Sequence, residues 1–219
     1  MSSRRRVCLF ITALAAFSPI VLWAGKEFVP PRTADANTYS LKDAHRNEKV
    51  TIAIDVYNAA PKDDIFITHY TQEGILPVLL VVTNDADQPI TLKNMRAQLV
   101  TARNTKLEAL EVEDVFRRVA HIEGSSNPRT VGPITLPGGI KNKKAQQQYD
   151  EITRAHFAAE VVEPHTTRSG FLFFDIENVQ QPVAGAHIYL TGVSDNKGNE
   201  LMYFEIPLIS ANAASPGGW

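Results

Sequence analysis

Apolar residues at every second position between 50 and 56 constrain the fold more than any other feature of this sequence. Val50, Ile52, Ile54 and Val56 alternate with less apolar or polar residues. Successive side chains of a strand point to opposite faces of a sheet, so the pattern predicts a β-strand with one apolar face. A strand of this kind needs partners that bury the same face.

Further segments with strand character recur along the chain. They cover residues 75–82, 90–102, 157–162, 170–176, 186–193 and 201–207. Turn-forming sequences rich in Asn, Asp and Gly separate several of them, including residues 83–89 and 195–198. About seven strands with turns between them favour an immunoglobulin-like antiparallel β-sandwich.

The strand at residues 170–176 is aromatic at adjacent positions. Because strand neighbours alternate, we expect Phe171 and Phe173 to face one way and Leu172 and Phe174 the other.

Two segments between the strands have helical spacing instead. Val112, Val115, Phe116 and Val119 recur with the period of an amphipathic helix. Residues 141–156 carry a narrower apolar stripe, and a loop rich in Pro and Gly at 124–139 precedes them. We therefore predict a helical insertion at about 103–156, which we expect to cap one end of the sandwich.

A basic and then apolar segment begins the chain. Arg4, Arg5 and Arg6 precede an apolar run from Val7 to Ala24. This order is typical of a signal peptide or, if it stays uncleaved, of a signal anchor at residues 1–24. By the positive-inside rule, either one places the remaining chain outside the cytoplasm, periplasmic or secreted.

The segments that flank the predicted sandwich lack a strand or helix period. Residues 25–49 are polar and contain Pro30-Pro31, which predicts an extended linker. Residues 208–219 are predicted to be a disordered tail. We therefore assign the sandwich to residues 50–207 and expect this fragment to fold without either flank.

Two motifs resemble known extracellular domains. Residues 82–92 read Val-Thr-Asn-Asp-Ala-Asp-Gln-Pro-Ile-Thr-Leu, and residues 162–176 combine a Pro-x-x-x-x-x-Gly turn with an aromatic strand. These two motifs resemble immunoglobulin-like domains of the telomeric-repeat-factor-like and immunoprotective-antigen type. Together with residues 113–118 and 203–207, they resemble uncharacterised exported bacterial proteins of acidobacterial type more closely still. The resemblance implies an extracytoplasmic β-sandwich and carries over no catalytic residues.

One end of the predicted sandwich is a candidate metal site. If successive strands run up and down, three of the turns meet at that end and gather Asp85, Asp87, His165 and Asp195. Three carboxylates and an imidazole could hold a divalent cation. Each of the three aspartates is equally explained as a turn former, so both interpretations remain open.

Motifs for catalysis and phosphate binding are incomplete in this sequence. Ser169 stands beside Gly170 without the Gly-x-Ser-x-Gly pattern of a nucleophile elbow. Gly138-Gly139 is followed by Ile-Lys-Asn rather than by the Gly-Lys-Ser/Thr ending of a phosphate-binding loop. We therefore expect no enzyme activity and no cofactor.

The net charge and the positions of the tryptophans limit the classes of partner that the sequence favours. The formal net charge of −2 argues against nucleic acid, and the membrane is expected to contact only the N-terminal segment. Trp23 and Trp219 lie in the export segment and the tail, which argues against carbohydrate binding. We predict a noncatalytic binding or scaffolding module of the cell envelope, with an envelope protein as a possible partner. The alternative is a periplasmic sandwich protein that carries a metal or a small ligand.

Overall fold

A computed structural model describes residues 27–121 and 143–208, and this part of the chain is mainly β. Its elements are β1 (Leu41–His45), β2 (Val50–Val56), β3 (Ile75–Asn84), β4 (Ile90–Thr91), β5 (Arg96–Val100), β6 (Lys106–Glu108), α1 (Val112–Val119), α2 (Lys143–Ala155), β7 (Val161–Val162), β8 (Thr166–Asp175), β9 (His187–Thr191) and β10 (Phe204–Pro207). Within these residues, no helix is both long and apolar enough to cross a membrane. The predicted export segment, the 124–139 loop and the tail beyond residue 208 lie outside the described residues.

Two four-stranded antiparallel sheets form the body of the molecule. The first sheet has the order β1-β2-β3-β8, and the second sheet has the order β10-β9-β5-β6. Ile52 of β2, Leu99 of β5 and Ile188 of β9 belong to the apolar core between them. This arrangement confirms the predicted immunoglobulin-like β-sandwich with inserted helices.

The outer face of the first sheet is buried as well. Leu79 of β3 and Phe173 of β8 pack in a second apolar cluster with Val115 and Phe116 of α1 and Ile152 of α2. The helices therefore cover a face of the sandwich, and the expectation that they cap one end of it is wrong. Their apolar stripes match the apolar outer face of β3 and β8, which burial against the helices removes from water.

The aromatic strand β8 contributes side chains to both apolar clusters. Phe171 and Phe173 lie in the outer cluster, whereas Leu172 and Phe174 lie in the core between the sheets. The predicted alternation is confirmed. All ten residues of β3, which pairs with β8, are buried, and burial on both faces explains why its sequence is nearly continuously apolar.

A buried carboxylate fixes α2 to the segment before β3. Glu151 is 2% exposed and accepts hydrogen bonds from the backbone N–H groups of Ile67 and Thr68 and from the Tyr70 hydroxyl. Burial raises the pKa of Tyr70 well above its usual value, and the nearby Glu151 carboxylate raises it further. Tyr70 therefore stays a neutral donor to the carboxylate.

The segment before β2 belongs to the folded unit, so the predicted linker at 25–49 is wrong for its described residues. β1 pairs with β2 along its whole length. Phe28 is 1% exposed and stacks on Phe66 with 5.4 Å between ring centroids. The expectation that residues 50–207 fold alone stays a prediction, for a fragment that lacks these contacts.

The sequence of β1 shows no apolar alternation because polar side chains occupy its inward positions. Asp43 Oδ2 accepts a hydrogen bond from the backbone N–H of Glu205 at 3.0 Å. His45 stacks on Phe204 of β10 with 3.8 Å between ring centroids. β1 thus adjoins β10 and connects the two sheets at this side, although its sequence lacks the apolar alternation of β2.

The run at residues 90–102 forms two strands rather than one. β4 pairs with β7, while β5 joins the second sheet after a turn in which the Met95 N–H donates to the Leu92 carbonyl at 2.8 Å. The chain thereby enters the second sheet, where β5 becomes an interior strand.

Candidate functional site

The three turns predicted to meet at one end of the sandwich do meet there. Asp87 Oδ1 lies 3.2 Å from His165 Nε2, and Asn196 Nδ2 donates to Gln88 Oε1 at 3.0 Å. These contacts connect the turn after β3 with the turn before β8 and with the turn after β9. The turns that carry Asp87, His165 and Asp195 therefore lie at the same end of the sandwich.

The other two aspartates at this end, Asp85 and Asp195, form separate hydrogen bonds. Asp85 Oδ2 accepts from Asn37 Nδ2 at 3.3 Å. Asp195 accepts from the Asn199 side chain at 2.8 Å and from the backbone N–H groups of Asn199 and Lys197 at 2.9 and 2.8 Å. These bonds, with the Asn199 side chain first, lower the pKa of Asp195. Across residues 27–121 and 143–208, no three His, Cys, Asp or Glu side chains converge in a group that could hold a metal ion.

A groove of about 360 Å³ crosses the solvent side of the second sheet. We call it the tyrosine groove, and its lining includes Gln98, Lys106, His187, Tyr189, Tyr203 and Glu205. Its volume is in the range of small-ligand sites, roughly 300 to 1,000 Å³. None of these six residues is a sequence-predicted site residue.

The strand register places the central side chains of the groove in one row. Tyr189 of β9 lies opposite Gln98 of β5 and opposite Glu205 of β10. Residues directly opposite one another in antiparallel strands are about 4.5 to 5.5 Å apart. The Tyr189 ring therefore has an amide on one side and a carboxylate on the other.

A second tyrosine extends the aromatic surface. Tyr203 immediately precedes β10, and its ring centroid lies 5.0 Å from that of Tyr189 with an angle of 35° between the rings. Tyr203 is 45% exposed, whereas the next residue, Phe204, is fully buried and anchors the strand. The two rings form an aromatic surface that is open to solvent and fixed by neighbouring strands.

Charged and polar side chains surround the two rings. His187 Nε2 lies 3.6 Å from Glu205 Oε1, and both side chains are partly exposed. Solvent weakens a contact between partly exposed polar groups, so both groups can turn toward a ligand at small cost. Gln98 Nε2 donates to Glu108 Oε1, which holds the amide across the sheet.

The turn between β5 and β6 forms one end of the groove. Asn104 lines it and has a left-handed backbone with φ of 62°, a conformation that asparagine tolerates better than most residues. The Asn104 N–H donates to the Thr101 carbonyl at 2.8 Å, and the Thr105 N–H donates to Thr101 Oγ1 at 3.1 Å. The turn therefore holds Asn104 in a defined place.

Sequence reasoning missed this groove although part of the signal was present. Tyr189 stands between Ile188 and Leu190, which are both fully buried, so strand alternation alone predicts that its ring faces away from the core. Its contact with Tyr203 depends on how β9 pairs with β10, which the sequence pattern does not specify.

Comparisons with known proteins give one structural similarity. No family model matches the chain, and no curated protein matches it in sequence. The chain is similar in structure to MPT63, a secreted protein of Mycobacterium tuberculosis, with 12% sequence identity and a TM-score of 0.31. The alignment covers 79% of this chain and 95% of that chain.

Proposed function

We propose that this chain is a noncatalytic binding module of the cell envelope that works outside the cytoplasm. The observation that carries the proposal is the tyrosine groove, in which two aromatic rings in contact face solvent between polar side chains. Tyrosine is enriched at binding hot spots because its ring supplies a large contact area and its hydroxyl a hydrogen bond.

The burial of the other surfaces supports the groove as the binding surface. Helices cover the outer face of the first sheet. At one side of the sandwich, Asp43 accepts from the Glu205 N–H, and at the other the Leu110 N–H donates to the Phe173 carbonyl at 2.7 Å. Among the described parts of the sandwich, the outer face of the second sheet is thus the sheet face left open to a ligand.

The extracytoplasmic location is supported by the N-terminal sequence. Three arginines followed by an apolar run have the order of an export signal. The motifs at residues 82–92 and 162–176, which resemble exported immunoglobulin-like domains, agree with that location.

A noncatalytic role is supported by the setting of the ionisable pair in the groove. The His187 side chain is 30% exposed and that of Glu205 is 50% exposed. Acid–base catalysis favours ionisable groups in sites that exclude water. An open pair of this kind is suited to binding.

Retention of envelope material on the immobilised protein tests the proposal. We expect the full chain to retain a component of envelope extract, and Tyr203→Ala to reduce the retained amount about tenfold, because a contacting tyrosine is removed. Met202→Ala is the matched control, since Met202 is the neighbouring residue and is 70% exposed. Equal retention by all three proteins, or none by any, would contradict the proposal.

A further inference from the structure

We propose that the tyrosine groove binds a saccharide, with Tyr189 and Tyr203 stacked against the C–H face of its sugar rings. This inference rests on the proposed function and names the ligand class of the same site. It takes the ligand to be uncharged and rich in hydroxyl groups.

The aromatic surface provides the apolar part of sugar recognition. One face of a sugar ring presents C–H groups, and the electron-rich face of a tyrosine ring attracts their partial positive charge. The Tyr189 and Tyr203 rings are in contact, with centroids 5.0 Å apart and 35° between their planes, so a sugar ring can stack on an aromatic face that this contact leaves exposed. The sequence argument against carbohydrate binding considers tryptophan, and here tyrosines supply the aromatic surface.

The row across the sheet provides the polar part. A sugar stacked on Tyr189 directs its hydroxyl groups outward around the ring, toward Gln98 on one side and Glu205 on the other. The amide both donates and accepts hydrogen bonds, and the carboxylate accepts them. The hydroxyl groups of a sugar both donate and accept hydrogen bonds, so they can pair with the amide and with the carboxylate at the same time.

The charges of the groove favour an uncharged ligand. Lys106 and Glu205 both line the groove, on opposite edge strands of the second sheet, so positive and negative groups are mixed. Such a surface has no single sign to complement a strongly acidic or basic ligand.

The strand order disfavours an extended peptide as the ligand. Peptides that add a strand to a sheet need unpaired backbone groups at a sheet edge. β5 and β9 are interior strands of the second sheet, and each pairs with a strand on both sides. A peptide on this face would have to bind through side chains alone.

Calorimetric titration with defined oligosaccharides tests the inference. Oligosaccharides of glucose, of mannose and of N-acetylglucosamine are titrated into the purified full chain. We expect at least one to bind, Tyr203→Ala to raise its Kd about tenfold, and Tyr203→Phe to change it by less than about threefold because the ring remains. Met202→Ala should bind like the wild type.

The outcomes separate this inference from the proposed function. Equal oligosaccharide binding by Tyr203→Ala and the wild type overturns the stacking geometry. If no oligosaccharide binds, but envelope extract is retained through Tyr203, the saccharide assignment is overturned while the binding function stands. Retention that survives periodate oxidation of the extract and is lost after protease treatment identifies a protein ligand and also overturns the assignment. If no oligosaccharide binds and the wild type retains nothing from the extract, both proposals are overturned.

Discussion

Among single side chains, Arg118 connects the end of α1 to the end of β8. Its Nη1 donates to Asp175 Oδ1 at 2.7 Å and its Nη2 donates to Asp175 Oδ2 at 2.5 Å. A paired fork of this kind is among the stronger ion pairs in proteins. Arg118 also reaches Glu177 Oε2 at 3.3 Å, so one residue holds the helix against the sheet at this corner.

This ion pair should make stability depend on pH. Burial raises the pKa of Asp175, but hydrogen bonds from Arg118 and from the Glu177 N–H outweigh that effect and lower it. Because the folded-state pKa is lowered, the pair stabilises the fold above the ordinary value of 3.8 and is lost as pH falls through the folded-state pKa. The carboxylate is partly exposed, so solvent screening reduces its contribution.

We expect Arg118→Met to lower the free energy of unfolding by about 1 kcal/mol at neutral pH. The difference from the wild type should shrink in acid, as Asp175 becomes protonated. Urea denaturation at several pH values measures both. Arg117→Met is the control, because Arg117 forms an exposed pair with Asp114 on the same helix and should cost only a few tenths of a kcal/mol. A pH-independent loss in Arg118→Met would show that packing, not charge, is responsible.

Among the elements, the segment before β2 contributes more than its sequence indicates. Phe28 stacks on Phe66 and meets Phe171 edge-on, with ring centroids 6.4 Å apart in the second case. Phe28 therefore belongs to the outer cluster although it is far from both helices in the sequence. Its neighbour Val29 is 69% exposed.

We expect Phe28→Ala to destabilise the protein by about 3 kcal/mol, because a fully buried ring leaves a cavity. Val29→Ala should change stability by less than about 0.5 kcal/mol. Chemical denaturation of the two variants checks both values. If both variants unfold like the wild type, residues 27–49 do not pack on the first sheet as described.

Sequence analysis predicted the elements whose packing produces a regular spacing of apolar residues in the sequence. β2 alternates because its inward residues are apolar, and α1 shows helical spacing because one stripe meets the sheet. β1 shows no such period, since Asp43 and His45 occupy inward positions and make polar or ring contacts instead. The period of a strand also does not reveal which strand will be its neighbour.

The same limits apply to the two candidate sites. Turn chemistry predicted that Asp87 and His165 come together, because Asn and Asp mark where strands reverse. The tyrosine groove arises from residues that face solvent, where core packing places no demand on the sequence. Its aromatic contact follows from the β9–β10 register, so only the orientation of Tyr189 was predictable.

In the molecule as a whole, the two sheets have different surroundings. The helices and the segment that contains Phe28 bury the outer face of the first sheet, whereas the second sheet presents Tyr203 and its neighbours to solvent. Aromatic residues exposed together on a folded surface are typical of recognition sites. The outer face of the first sheet therefore contributes stability, and we propose that the outer face of the second sheet binds the ligand.

Photo-crosslinking from single positions tests this assignment most directly. A photoreactive phenylalanine analogue replaces Tyr203 on the second sheet in one protein and Val29 near the outer cluster in another, and each is irradiated with intact cell envelopes. Both side chains are exposed in the structure, so the two proteins are equally able to react. We expect a discrete adduct from position 203 and none from position 29. An adduct from position 29 alone, or the same adduct from both, would contradict the assignment.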